Sequence, residues 1–331
     1  MPVDTSEKDL EAAIEAVLVS EADGTSAETP ERYDTGRYEP GGYRTRSAKD
    51  YNRERCLIPD DLFDFVVATQ PKEWQKLKKQ FGTEAKGRFV QKVYGEIEKR
   101  GTLNVLRRGV RIHGARFKLV YFKPSTSRNP DLQDKYRANV FTVVRQLPYS
   151  TDSGHTLDLG LLLNGLPIFT AELKNPLTGQ TYRDAMHQYR NDRDPREPFF
   201  TFGRCLAHFA VGSEEVYMTT HLQGENTYFL PFNQGYDGGA GNPPSAHKPR
   251  TSYLWEQVWA GDSVLKLIQH FIATIDQLDD DGKSTGEEIL IFPRYHQMRS
   301  VRRLVADARE NGAGERYLIQ HSAGSGKSIS I

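Results

Sequence analysis

The sequence predicts an α/β sandwich, and three observations carry that expectation. Helical periodicity fills residues 60–100, strand-like runs dominate residues 102–172, and helical spacing returns after residue 181. That order suits a sheet covered by helices. The hydrophobic content of 37%, with 16 Phe and 16 Tyr, can build a sizeable core. Finally, Asn164-Gly165 separates two apolar runs, residues 159–163 and 166–171, which is a strong hairpin signal.

Taken in order, Ser6-Glu7-Lys8-Asp9 reads as a capping box opening a short helix. Leu10, Ile14, Val17 and Leu18 make its apolar stripe. Glu7 and Glu11 lie at the stripe's border, where an acid can reach into a cleft beside the core; an ordinary solvated face is the alternative. Residues 20–53 read as a long surface connection. Helices are expected over 60–70, over 71–81 with Pro71 at its start and Gly82 at its end, and over 84–100, stopped by Gly101. Strands are expected over 102–106, 117–122 and 140–146, followed by the hairpin.

After the hairpin, a helix over 181–191 carries Tyr182, Ala185, Met186 and Tyr189 inward. Arg183, Gln188 and Arg190 flank it and Arg193 follows, a local basic patch suited to phosphate contacts, with a salt-paired solvated face as the alternative. Strands over 206–211, 216–220 and 228–232 come next, then a Gly/Pro-rich loop over 235–244. A helical region begins at 254–259 and is expected to continue as an amphipathic helix over 264–278. Residues 279–287 (DDDGKSTGE) read as a linker. The expected organisation is therefore a first domain over 1–278, the linker, and the truncated start of a second domain over 288–331.

Lys+Arg and Asp+Glu both number 44, so bulk charge announces no nucleic-acid partner. Two cysteines exclude a disulfide framework and fit a reducing cytoplasm. No run reaches membrane-span length and no signal pattern opens the chain, so a soluble protein with no membrane partner is expected.

Three charged residues at the hairpin's open end need a reason, because acids beside buried strands are costly unless paired or metal-bound. Glu172 and Lys174, two apart, share a face. A strict two-residue turn pairs Asp158 with Ala171. One bulge, such as Gly160 permits, pairs Asp158 with Glu172 and gathers all three charges, and bulges favour active-site surroundings. Two carboxylates suit a hard cation such as Mg²⁺, and a lysine can position water or stabilise negative charge on a phosphodiester. The spacing resembles the PD-(D/E)xK nucleases, although Glu84-Ala85-Lys86 is a second ExK and a salt-bridged sheet edge is the competing account.

At the C-terminal end, residues 317–319 read as a buried strand before His321-Ser-Ala-Gly-Ser-Gly-Lys-Ser328. In a P-loop, the backbone around Gly324 and Gly326 cradles phosphates, Lys327 reaches the β/γ-phosphates and Ser328 ligates Mg²⁺. The chain stops three residues later, too soon for a complete ATPase, and so reads as an N-terminal piece.

With both motifs in this order, the chain resembles the restriction (R) subunit of type I restriction-modification enzymes. The likeness rests on LDLGLLLNGLPIFTAELKNP, HFAVGSEEVYMTTHLQG, TYFLPFNQGYDGGAGNP, FPRYHQ and QHSAGSGKS. It implies a PD-(D/E)xK-type nuclease domain, a central mixed sheet flanked by helices, followed by the start of a RecA-like superfamily 2 motor. It implies Mg²⁺-dependent endonuclease action on double-stranded DNA, ATP as the motor's cofactor, and assembly with modification and specificity subunits. By position it assigns Asp158, Glu172 and Lys174 to catalysis. Glu11, with Glu7 second, matches the helix acid that joins the metal site. Gln188 matches the glutamine of the helix after the motif, and Gln297 an adenine-reading glutamine. The competing reading is a non-catalytic DNA- or subunit-binding front domain of a translocase.

Overall fold

The computed structural model describes residues 7–20, 38, 40–126, 128–175, 179–279, 282–312 and 314–319. The first helix, α1 (Glu7–Val19), buries Ile14 and Leu18 completely and Leu10 and Val17 in part, along the expected stripe. Ser6 of the expected capping box and the Glu7 side chain lie outside the described residues. The connection that follows is not wholly loop, because β1 (Tyr43–Thr45) pairs at the sheet edge.

Helices α2 (Pro59–Thr69) and α3 (Pro71–Phe81) each begin on a proline, whose missing N–H is no loss in a first turn. In α4 (Ala85–Arg108) the expected stop at Gly101 is a kink, with φ of +72°. The chain then re-enters a helix, held by Thr102 donating from its N–H to Gly203 O (2.8 Å) and from its hydroxyl to Arg204 O (2.7 Å). The strand expected over 102–106 is therefore helical.

A small hairpin, β2 (Val110–Ile112) with β3 (Ala115–Phe117), follows. Only Phe117 of the strand expected over 117–122 lies in it. The next stretch is held by side chains instead: Gln70 bonds both backbone groups of Lys118, and Asn164 donates to Leu119 O. Beyond α5 (Pro130–Arg137) come β4 (Phe141–Pro148), β5 (Thr156–Leu163) and β6 (Leu166–Leu173). After α6 (Tyr182–His187), extended by a π-helical segment over Gln188–Asp192, lie β7 (Ala207–Val211), β8 (Val216–Thr219) and β9 (Leu230–Pro231).

The seven-stranded sheet has the order β1-β4-β5-β6-β7-β8-β9, with β1/β4 and β6/β7 parallel and the other pairs antiparallel. One face carries Leu159, Leu161, Ala171 and Leu173 against α1 to α4, and the other packs Ala185 and Tyr189 of the α6 region with Phe199 and Phe200. A central mixed sheet between helices is the expected class. The described residues show no RecA-like motor, and Gly324, Gly326, Lys327 and Ser328 lie outside them.

The helix expected over 264–278 ends early. α7 (Gly261–Lys266) continues as a π-helical segment to Phe271, and Ile272 turns extended (ψ 136°). The chain then forms β10 (Ala273–Leu278), paired with β11 (Ser284–Ile291), so residues 284–287 of the expected linker are the first half of a paired strand. Finally α8 (Tyr295–Asn311) packs back on the core, with Phe292 against Phe169, Phe209 and Phe232. Residues 317–319 are not in a strand.

Candidate active site

The β5–β6 turn needs left-handed backbone at both central residues, and Asn164 (φ +51°) and Gly165 (φ +80°) supply it. A bulge then sets the register: Leu162 faces Pro167 while Leu161 faces Phe169, which leaves Ile168 as the extra residue. Pro167 has no N–H to give a ladder, which is why proline collects at such bulges. Beyond it Leu159 faces Ala171, so the next position out sets Asp158 beside Glu172. The expected register thus forms, through Ile168 rather than Gly160.

Asp158 is half-buried and its Oδ2 accepts the Leu173 N–H at 2.7 Å. Glu172 is fully buried. Its Oε1 accepts both Nε (2.9 Å) and Nη2 (2.7 Å) of Arg193, while Oε2 is buried without a partner among the described residues. Burial pushes the Glu172 carboxyl well above the usual carboxylate range, and the neighbouring Asp158 charge adds to the rise; Arg193 and then Lys174 oppose it. Lys174 is itself largely buried. It opens onto a cleft of about 270 Å³ that Gln180, Asp184, His187, Gln188 and Asp192 also line.

Glu11 comes in from α1, buried, with Oε2 accepting from Arg145 (3.2 Å) and Oε1 from Gln146 (2.8 Å). Burial raises its carboxyl too, and Asp158 adds repulsion. The acid therefore shares the electrostatic field of Asp158, yet among the described residues no group of three or more His, Cys, Asp or Glu is placed to hold a metal.

The basic residues divide. Arg183 is exposed on α6, and Arg190 is half-buried, donating to Thr227 O (3.1 Å) over the Phe229 ring. Gln188 lines the cleft, its Oε1 unpartnered among the described residues. Arg193 is not on the surface expected to face DNA: it is 7% exposed and turned inward onto Glu172. Buried Gln297 caps α8, its Oε1 accepting the Arg294 N–H at 2.8 Å.

Two polar residues escaped the sequence reading. Arg145 and Gln146 lie inside β4, where Arg145 faces Leu159 and the register skips Gln146, which also reaches Asp158 Oδ1 at 3.5 Å. Val144 and Leu147, three apart, face the same side, so the period-two alternation skips a residue at Gln146, where φ is +50°. A polar pair interrupting an apolar run beside an acid was the available signal.

Residues 51–227 match the family described as type I restriction enzyme R protein N terminus, over half of the 331-residue chain. The chain belongs to this family. No curated protein matches it closely enough to add a relative. In this R-protein N-terminal region the matched stretch carries Asp158, Glu172, Lys174 and Arg193, and Glu11 precedes it. Among the described residues of this R protein, no helix is long and apolar enough to cross a membrane.

Proposed function

We propose that this R-protein N-terminal region is an endonuclease that hydrolyses double-stranded DNA with Mg²⁺, licensed in the whole enzyme by ATP-driven translocation. One observation carries the reading: the bulged hairpin sets Asp158 beside Glu172 with Lys174 two residues further on. The residues present fit a hard divalent cation. Two carboxylates supply oxygen donors, and the unpartnered Glu172 Oε2 is a buried lone-pair site that a cation would satisfy. Asp158 and Glu172 would hold it, with Glu11 close enough to add charge. Magnesium, when bound, supplies Lewis-acid polarisation of the phosphate and lowers the pKa of water beside it.

The chain's own groups do the rest. Lys174, at the rim of the cleft, binds a phosphate oxygen and stabilises the negative charge that develops as water attacks phosphorus. Gln188 offers the cleft a carbonyl acceptor that can orient the attacking water. Arg183 and Arg190 bind flanking phosphates. We assign residues 1–278 to the nuclease and the chain from about residue 288 to the start of the motor. In the whole enzyme Gly324, Gly326, Lys327 and Ser328 would bind ATP phosphates, Gln297 would serve adenine recognition, and modification and specificity subunits would assemble in the cytoplasm.

In the assembled full-length enzyme, Asp158→Ala and Lys174→Ala should each abolish DNA cleavage while DNA-stimulated ATP hydrolysis persists. Loss of both activities in folded, assembled variants would defeat a purely catalytic role. The rival account, a non-catalytic DNA- or subunit-binding domain, draws on the closure of Glu172 by Arg193 and predicts that both variants cut as the parent does.

A further inference from the structure

Arg193 enters the site from the end of the π-helical segment over Gln188–Asp192, where the backbone turns extended (φ −111°, ψ 106°). Its guanidinium makes three directed contacts. Nε and Nη2 both reach Glu172 Oε1, and Nη2 also donates to Thr156 O at 3.1 Å. The Tyr149 ring lies 5.4 Å from the guanidinium carbon. Thr156 begins β5 two residues before Asp158, and Glu172 stands next to last on β6. One rigid fork therefore ties together the two strand ends that carry the acids.

The distribution of contacts over the carboxylate is uneven. Both Arg193 donors fall on Oε1, and Oε2 is buried with no partner among the described residues. A fully buried carboxylate with one oxygen doubly bonded and the other bare has its rotamer fixed and one lone-pair site presented. We propose that Arg193 is a positioning residue for the metal site: it fixes Glu172 so that Oε2, and not Oε1, is the oxygen offered to a divalent cation. This rests on the nuclease reading above. Arg193 touches neither DNA nor the ion; it acts through Glu172. A planar fork is what the role requires, because an ammonium cannot span Glu172 and Thr156 with the same fixed geometry.

The test is calorimetric titration of the full chain with Mn²⁺, without DNA, for the parent, Arg193→Lys, Arg193→Gln, Glu172→Gln and the Arg193→Lys/Glu172→Gln double variant, each checked by circular dichroism. The expected result is at least tenfold weaker Mn²⁺ binding for Glu172→Gln and for Arg193→Lys, with the double variant no weaker than Glu172→Gln alone. Arg193→Gln should be weaker than Arg193→Lys; if it fails to fold, Arg193→Lys decides. Parent-like affinity in a folded Arg193→Lys overturns the proposal and leaves the nuclease reading standing. So does a loss that repeats undiminished in the Glu172→Gln background, which would place its effect elsewhere. Absent Mn²⁺ binding by the parent, or binding indifferent to Glu172→Gln, overturns the nuclease reading and the proposal together.

Discussion

His208, on β7 beside β6, shows how the sheet's second face manages polar groups. Its Nδ1 is 2.7 Å from the Thr170 hydroxyl, which also meets Tyr189 Oη at 2.9 Å, and Phe199 and Phe200 close over the ring. Burial pulls the imidazole down to about 3, with a smaller push from His221. The folded protein thus keeps His208 neutral where an unfolded chain takes up a proton. Between the ordinary histidine value and about pH 3 the unfolded state binds more protons, so stability falls as pH falls through that window. Thermal melts from pH 7 to pH 4.5 should show a steep loss of Tm in the parent. His208→Gln should lower Tm at pH 7, through lost ring packing, and flatten the decline. An equally steep decline in the variant would mean that other groups set the acid limit. At this scale the gathering of Asp158, Glu172 and Lys174 at the hairpin's open end was legible from their spacing, and the bulged register sets Asp158 beside Glu172; periodicity left Glu11 at a helix border, from which it reaches the field of Asp158. The sequence was mute on Arg193, because an arginine after a polar helix looks the same whether it turns outward to phosphate or inward to a buried acid.

The β5–β6 hairpin is the element that makes the site. Its turn was legible because Asn-Gly is nearly obligatory when both central residues need positive φ. The bulge was harder: Gly160 offered a plausible place, but its missing Cβ serves Leu147, whose Cδ2 would lie 2.6 Å from one. Pro167 was the better signal, since it cannot donate to a ladder. The misread helix over 264–278 has a similar cause. Ile275 and Leu278 fall in phase with the helical stripe by chance, while Thr274 and Ile275 pair with Leu290 and Ile289 across β10 and β11. Two glycines separate strain from contact in these turns. A Cβ on Gly165 would sit 2.3 Å from Ile58 O, whereas one on Gly114, also at positive φ (+83°), meets nothing within 4 Å. Gly114→Ala should cost about 1 kcal/mol in urea unfolding, the backbone strain alone. Gly165→Ala should exceed it by about 2 kcal/mol, because Ile58 O must move while the Ile58 N–H is tied to Gly165 O at 2.9 Å and Ile58 O itself accepts the Leu62 N–H at 3.2 Å. Equal costs would show that the α2 entrance yields freely.

At the scale of the whole molecule, the question is how the segment beyond residue 287 joins the sheet. An acidic, glycine-bearing stretch over 279–287 suggested a boundary, yet the chain beyond it returns to the same core. Phe292 lies edge-on to Phe169, Phe209 and Phe232, Tyr295 to Phe232 and Tyr253, and the Thr220 hydroxyl donates to Leu290 O at 2.8 Å. Arg302 adds a bond to the Ser263 hydroxyl (2.8 Å) and lies over the Tyr38 ring. Phe169 stands on β6 three residues before Glu172, so the start of α8 and the strand that carries Glu172 share one aromatic cluster. Such packing couples their stabilities, since removing a buried Phe side chain costs about 3–5 kcal/mol wherever the cavity forms. Phe292→Ala should therefore lower the main calorimetric transition of the full chain and leave it single. A separate unit beyond the hairpin predicts instead a small early transition that moves while the main one stays. Limited proteolysis reads the same question independently: if α8 is part of the core, Phe292→Ala speeds cutting at β6 and β7 as well as within α8.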